Sequence, residues 1–163
     1  MNLVPIKDYE DLYSFDLNTN QVWGHKNKKY KKPTLDNRNY YRMPLNKNNK
    51  KKTFLFHRLI YEVYNGEIPT GYIIDHIDNN TQNNNIDNLR LATNSENNCN
   101  IKLKKNNTTG YKNINKTKWN TYLVLIRKNK KIVYYKTFKT LEEAIINRDI
   151  QLKLIHGEFY NLG

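Results

Sequence analysis

Residues 75–100 read D-H-I-D-N-N-T-Q-N-N-N-I-D-N-L-R-L-A-T-N-S-E-N-N-C-N, and the rest of the chain is organised around them. An apolar run, Tyr72-Ile73-Ile74, leads into Asp75-His76, and a second run, Asn88-Leu89-Arg90-Leu91, closes on Thr93. Two short strands with a broad polar connection fit this pattern. Thr93 or Ser95 can then accept a hydrogen bond from the free amides of a new helix, with Asn97 in its first turn. In a regular strand Asp75 and His76 point to opposite faces, so the strand must end or distort there for both to serve one reaction.

The unit therefore collects an Asp, a His and an Asn. Carboxylate and amide oxygens are hard ligands that suit Mg2+ or Mn2+ rather than Zn2+. Imidazole, with an ordinary pKa of about 6.5, takes up a proton near neutral pH. Together they suit phosphodiester hydrolysis, with a cation at the phosphate and the imidazole activating water. The remaining loop residues Asn79, Asn80, Asn83, Asn84 and Asn85 are read as composition, because the chain is rich in Asn throughout.

These residues, at these spacings, resemble the HNH nuclease family, whose fold is two strands and a helix around one metal ion. The resemblance implies Asp75 as metal-binding acid, His76 as general base, Asn88 as the residue that ties the loop and Asn97 as second metal ligand. It points to the homing endonucleases of phage introns. His57-Arg58 match the H-R that precedes the active-site strand in similar proteins, which implies a phosphate contact there beside an ordinary packing role.

Composition points the same way. The 163 residues hold 28 Lys and Arg against 15 Asp and Glu, a formal charge of +13, and a polyanion such as double-stranded DNA is the natural partner. No run approaches the roughly 20 apolar residues of a spanning helix, and the N-terminus lacks the pattern of a signal peptide, so no membrane association and an intracellular location are expected. A single cysteine, Cys99, excludes an internal disulfide and a Cys-rich zinc site.

Towards the N-terminus, residues 12–15 and 21–23 read as strands around an Asn18-Thr19-Asn20 turn, a hairpin resembling the N-terminal module of phage-type HNH endonucleases. Residues 25–52 interleave cations, Arg42 among them, with tyrosines, as nucleic-acid contacts do. Residues 39–45 have strand character, Asn48-Asn49-Lys50 reads as a turn, and 54–65 as a helix stopped by Gly66. Residues 101–110 read as a basic linker.

From Tyr111 on, three strand-like runs precede a helix capped by Thr140, with Leu141, Ala144, Ile145, Leu152 and Ile155 on one face. The order resembles the Apetala-type DNA-binding domain, which implies Lys112, Asn113, Lys116, Lys118, Trp119 and Arg127 at the DNA. The expected class is α+β in small modules: a hairpin and basic region at 1–52, a ββα-metal nuclease at 53–100, the linker, and a sheet-plus-helix module at 111–163. No apolar stripe stands outside the elements assigned to module cores, so a monomer is expected. The alternative to a nuclease is a DNA-binding regulator whose nuclease site is silent.

Overall fold

Hairpin chemistry sets the first third of the chain. In the computed structural model, which describes residues 1–100, 103 and 107–161, β1 (Leu3–Pro5), β2 (Tyr13–Asp16), β3 (Gln21–Gly24) and β4 (Lys29–Lys31) form an antiparallel sheet in sequence order. Phe15 pairs with Val22 across β2 and β3, and both are fully buried. The two-stranded expectation is thereby extended by β1 and β4. These are three residues each, with no buried position, too short to leave a periodic signal.

A second sheet joins β5 (Thr34–Leu35), β6 (Tyr41–Lys47) and β7 (Lys50–Leu55). Asn48 and Asn49 connect β6 to β7 with φ of 50° and 58°, the left-handed pair that a two-residue hairpin needs to match strand twist. Asparagine takes most of the positive-φ positions among the described non-glycine residues, including Asn20, Asn39, Asn79, Asn113, Asn120 and Asn129.

The helix expected from residue 54 begins at Phe56. Phe54 is still paired with Met43, and the chain turns helical only after the extended Leu55, so α1 spans Phe56–Asn65. Phe56, His57, Leu59 and Ile60 are its buried face, and Gly66 ends it at φ 84° with its N–H on the Glu62 carbonyl. β8 (Ile73–His76) and β9 (Leu89–Ala92) form a two-stranded sheet joined through a long loop and a 3-10 turn at Ile86–Asn88. One core unites these elements: Ile6, Phe15, Val22, Met43, Leu45, Phe56, Ile60, Ile74 and Leu89 all belong to it.

By its contacts the chain divides into two units, Met1–Leu91 and Ala92–Gly163. The second holds α2 (Asn94–Asn100), an antiparallel sheet of β10 (Ile114–Lys116), β11 (Tyr122–Lys128) and β12 (Lys131–Phe138), and α3 (Leu141–His156) followed by a 3-10 turn. Ile114, Val124, Ile126, Ala144 and Leu152 are its core. The whole is α+β, built from small sheets and three helices among the described residues. No helix is long and apolar enough to cross a membrane. The expected linker falls largely on residues outside the described set.

At the start of α3, Thr140 accepts from the Glu143 amide and the Glu143 carboxylate accepts from Thr140, a reciprocal cap. Thr140→Ala is expected to cost about 1 kcal/mol in urea unfolding, and an unchanged midpoint would show the cap to be idle. On the same helix Ile146, Ile150 and Leu154 stand exposed at one-turn intervals. They lie on an element already assigned to a module core: α3 has more apolar positions than one face can bury.

Candidate active site

β8 ends at His76, so Asp75 and His76 are the last two residues of a strand whose two sides are both covered. Each is about 5% exposed and each has its own neighbours. The carboxylate of Asp75 is gripped by Arg90 of β9, whose Nε and Nη2 both lie 3.0 Å from Oδ2. The imidazole of His76 meets the His57 ring of α1 edge-on at 5.0 Å, and Tyr40 lies 5.4 Å from His57 and 6.2 Å from His76. Nε2 of His76 lies 3.0 Å from Oδ1 of Asn84. With an amide oxygen at Nε2, the neutral ring carries its proton there and Nδ1 is the basic nitrogen.

The loop between the strands is held from within. Asn88 accepts from the Asp78 amide at 3.0 Å and donates to Asp78 Oδ1 at 2.9 Å and to the Asn83 carbonyl at 2.8 Å. Its own carbonyl accepts from Ile77 just beyond β8. Burial alone would raise the Asp78 carboxyl, but hydrogen bonds from Asn83, Asn80 and Asn88 outweigh it and hold the group below the usual carboxylate range.

His57 is packed rather than displayed. Burial, aided by the positive charge of His76, Arg58 and Arg42, pushes it down to about 3, and its Nδ1 has no hydrogen-bond partner. At 5% exposure it offers little surface to a phosphate. Between its folded value and the unfolded pKa of about 6.5 only the unfolded chain binds the proton, so the stability it allows is full above 6.5 and declines as pH falls towards 3. Urea unfolding from pH 7 to 4 should show a steeper loss for the wild type than for His57→Phe, and parallel curves would remove this role. Arg58 is half-buried, and Arg42 is engaged by Asp36 at 2.7 Å.

Asn97 lies half-buried on α2 and its amide donates to Thr93. Of the two expected caps the structure uses Thr93, whose hydroxyl accepts from Glu96 while the Glu96 carboxylate accepts from Thr93. α2 is tied into the second unit: Ser95 Oγ accepts from the Asn129 amide at 3.1 Å, and Lys112 Nζ donates to the Cys99 carbonyl at 2.8 Å. Cys99 Sγ sits 3.3 Å from His156 Nδ1, and burial raises the thiol while lowering Lys112 and His156.

The six residues expected at DNA in this unit fall into two groups. Lys112, Asn113 and Arg127 line one cleft of about 600 Å³ together with Asn98, Lys130 and His156. Lys116, Lys118 and Trp119 lie at the β10–β11 turn, where Trp119 is 74% exposed beneath the Lys118 ammonium at 4.6 Å. Sequence reading missed Arg90, Tyr40 and Asn84. Asn84 reads as composition like its loop neighbours, and nothing in its position within an Asn-rich run singles it out.

Among the described residues no three His, Cys, Asp or Glu cluster as metal ligands. By donor chemistry the carboxylate oxygens of Asp75 suit a hard divalent ion better than zinc.

Comparison with known proteins bears on residues 54–99, which match the model of the HNH endonuclease family. Protein 3.8 of Escherichia phage T7 is 50% identical over 62 residues, 38% of this chain and 51% of that protein. The DNA endonuclease I-HmuI of Bacillus phage SP01 is 38% identical over 88 residues, 54% of this chain and 50% of that protein. The chain thus spans about half the length of these curated relatives. A solved structure, described as DNA binding and cleavage by the HNH homing endonuclease I-HmuI, superposes with a TM-score of 0.54 at 25% identity, covering 97% of this chain and 91% of that one. HNH nucleases generally use a divalent metal. Residues 54–99, which carry Asp75, His76, Asn88 and Asn97, are therefore an HNH endonuclease domain.

Proposed function

We propose that the chain is a metal-dependent DNA endonuclease of the homing type that hydrolyses one phosphodiester at a time. The observation that carries it is the end of β8, where a buried carboxylate and a ring-packed imidazole are adjacent within the segment that matches the family. His76 takes the proton of the attacking water, and Asn84 and the neighbouring rings fix its orientation. Asp75 and Asn97 hold the divalent ion, Mg2+ or Mn2+, which when bound stabilises charge on the phosphate and the leaving 3′ oxygen. Asn88 keeps the loop closed behind His76.

In this reading 1–52 is an N-terminal contact module with Arg42, 53–100 the nuclease with His57 and Arg58 behind its strand, 101–110 a linker, and 111–163 an Apetala-type DNA anchor. Exposed Lys116, Lys118, Trp119 and Arg127, with Lys112 and Asn113, support the anchor. One Asp-His pair and one Asn97 attack a single strand, so a monomer nicks. Supercoiled plasmid is expected to become open circle well before linear product appears, and only with Mg2+ or Mn2+. Linear product at first order without that intermediate would overturn nicking, and full activity in EDTA would overturn the metal.

A further inference from the structure

We infer that Arg90 is a positioning residue that occupies the cation's place on Asp75 and competes with the divalent metal for it. This rests on the reading of Asp75 as a metal ligand. β9 pairs with β8, and that pairing delivers the guanidinium to the carboxylate: Nε and Nη2 both reach Oδ2 at 3.0 Å. The two side chains are 13% and 5% exposed, so the pair is largely withdrawn from water. A carboxylate so placed cannot stand alone, because an uncompensated buried charge is strongly destabilising.

The same burial sets this contact against a second cation on the carboxylate. A divalent ion on Asp75 would stand within a few ångströms of a guanidinium in a medium that screens poorly, and the two repel. Metal entry therefore loosens the Arg90–Asp75 pair. The released guanidinium carries five donors in a fork that matches phosphate oxygens. Arg90 thus satisfies Asp75 while the metal is absent and turns towards the substrate phosphate once the metal is present. The predicted coupling runs both ways: phosphate that draws Arg90 away favours the metal, and the metal favours phosphate binding.

Arg90→Gln keeps a hydrogen-bond donor near Asp75 and removes the charge. Mn2+ binding to the full chain without DNA, followed by calorimetry, is expected to tighten about tenfold, the scale of one charge-assisted hydrogen bond lost by the competitor. Plasmid nicking at saturating Mn2+ should fall in the same variant. A residue with only a structural role gives the opposite sign, weaker metal binding together with lower activity. Unchanged or weaker Mn2+ binding in folded Arg90→Gln overturns the inference.

Should that variant not fold, the wild type answers: the Arg90 Nε–H resonance should shift during Mg2+ titration with the midpoint of metal binding, and an unmoved signal is equally fatal. Asp75→Asn separates the two levels. If it binds Mn2+ like the wild type, the ligand assignment falls and takes the inference with it. If it is defective while Arg90→Gln is unchanged, the inference about Arg90 alone falls.

Discussion

His76→Ala is expected to slow cleavage of supercoiled plasmid by at least about 10²-fold, the usual loss for a general base. The ring ends β8 between Asn84, His57 and Tyr40, and the His57 imidazole beside it is a poor substitute, being buried and pushed down to about 3. Because His76 is a base and not a ligand in this scheme, the concentration of Mg2+ at half-maximal rate should stay near the wild-type value while the rate itself collapses. DNA binding should also persist. Near wild-type cleavage would remove His76 from the chemistry, and a large shift in metal dependence would recast it as a ligand.

Asp75→Ala should fail twice over. In the proposed scheme cleavage drops to background with the loss of a metal ligand, and the fold weakens because the Arg90 guanidinium stays behind, largely buried, without its carboxylate. Breaking one side of such a pair costs about 3–5 kcal/mol, whereas replacing both partners with apolar residues of similar volume is often neutral or stabilising. The double change Asp75→Leu with Arg90→Leu should therefore recover most of the stability lost by Asp75→Ala and none of the activity. Urea unfolding of the three proteins checks this. A double variant no more stable than Asp75→Ala would show that the carboxylate's other contacts, rather than its ion pair, hold the strand end together.

Much of this arrangement was legible from residues 75–100, because its signals are local. A strand that runs into Asp75-His76, a capped helix start at Thr93 and a Thr140 cap are all written within a few residues of where they act. Arg90 was not legible as the partner of Asp75, since the contact joins positions 15 apart through a pairing register that sequence alone does not fix. The three-ring cluster of Tyr40, His57 and His76 draws on β6's approach, α1 and β8, and no periodicity announces it. α1 starts two residues later than the sequence pattern indicates, because Phe54 and Leu55 continue the apolar rhythm of the helix while the β6–β7 ladder still claims them. That a single core runs from Ile6 to Leu89 follows from packing between distant elements, which spacing does not show.

The left-handed asparagines have a consequence on the other side of the folding equilibrium. Glycine reaches positive φ without strain but leaves the denatured chain with more conformations to lose, and a residue with a side chain that still tolerates this region narrows that ensemble by roughly 0.4–1 kcal/mol per site. With Gly66, Gly71, Gly110 and Gly157 as the described glycines at positive φ, the chain entrusts its other reversals, Asn48-Asn49, Asn79, Asn113 and Asn129 among them, chiefly to asparagine. A protein so heavily cationic, whose folded state carries its own electrostatic repulsion, thereby keeps its turns while denying its unfolded form some of its freedom.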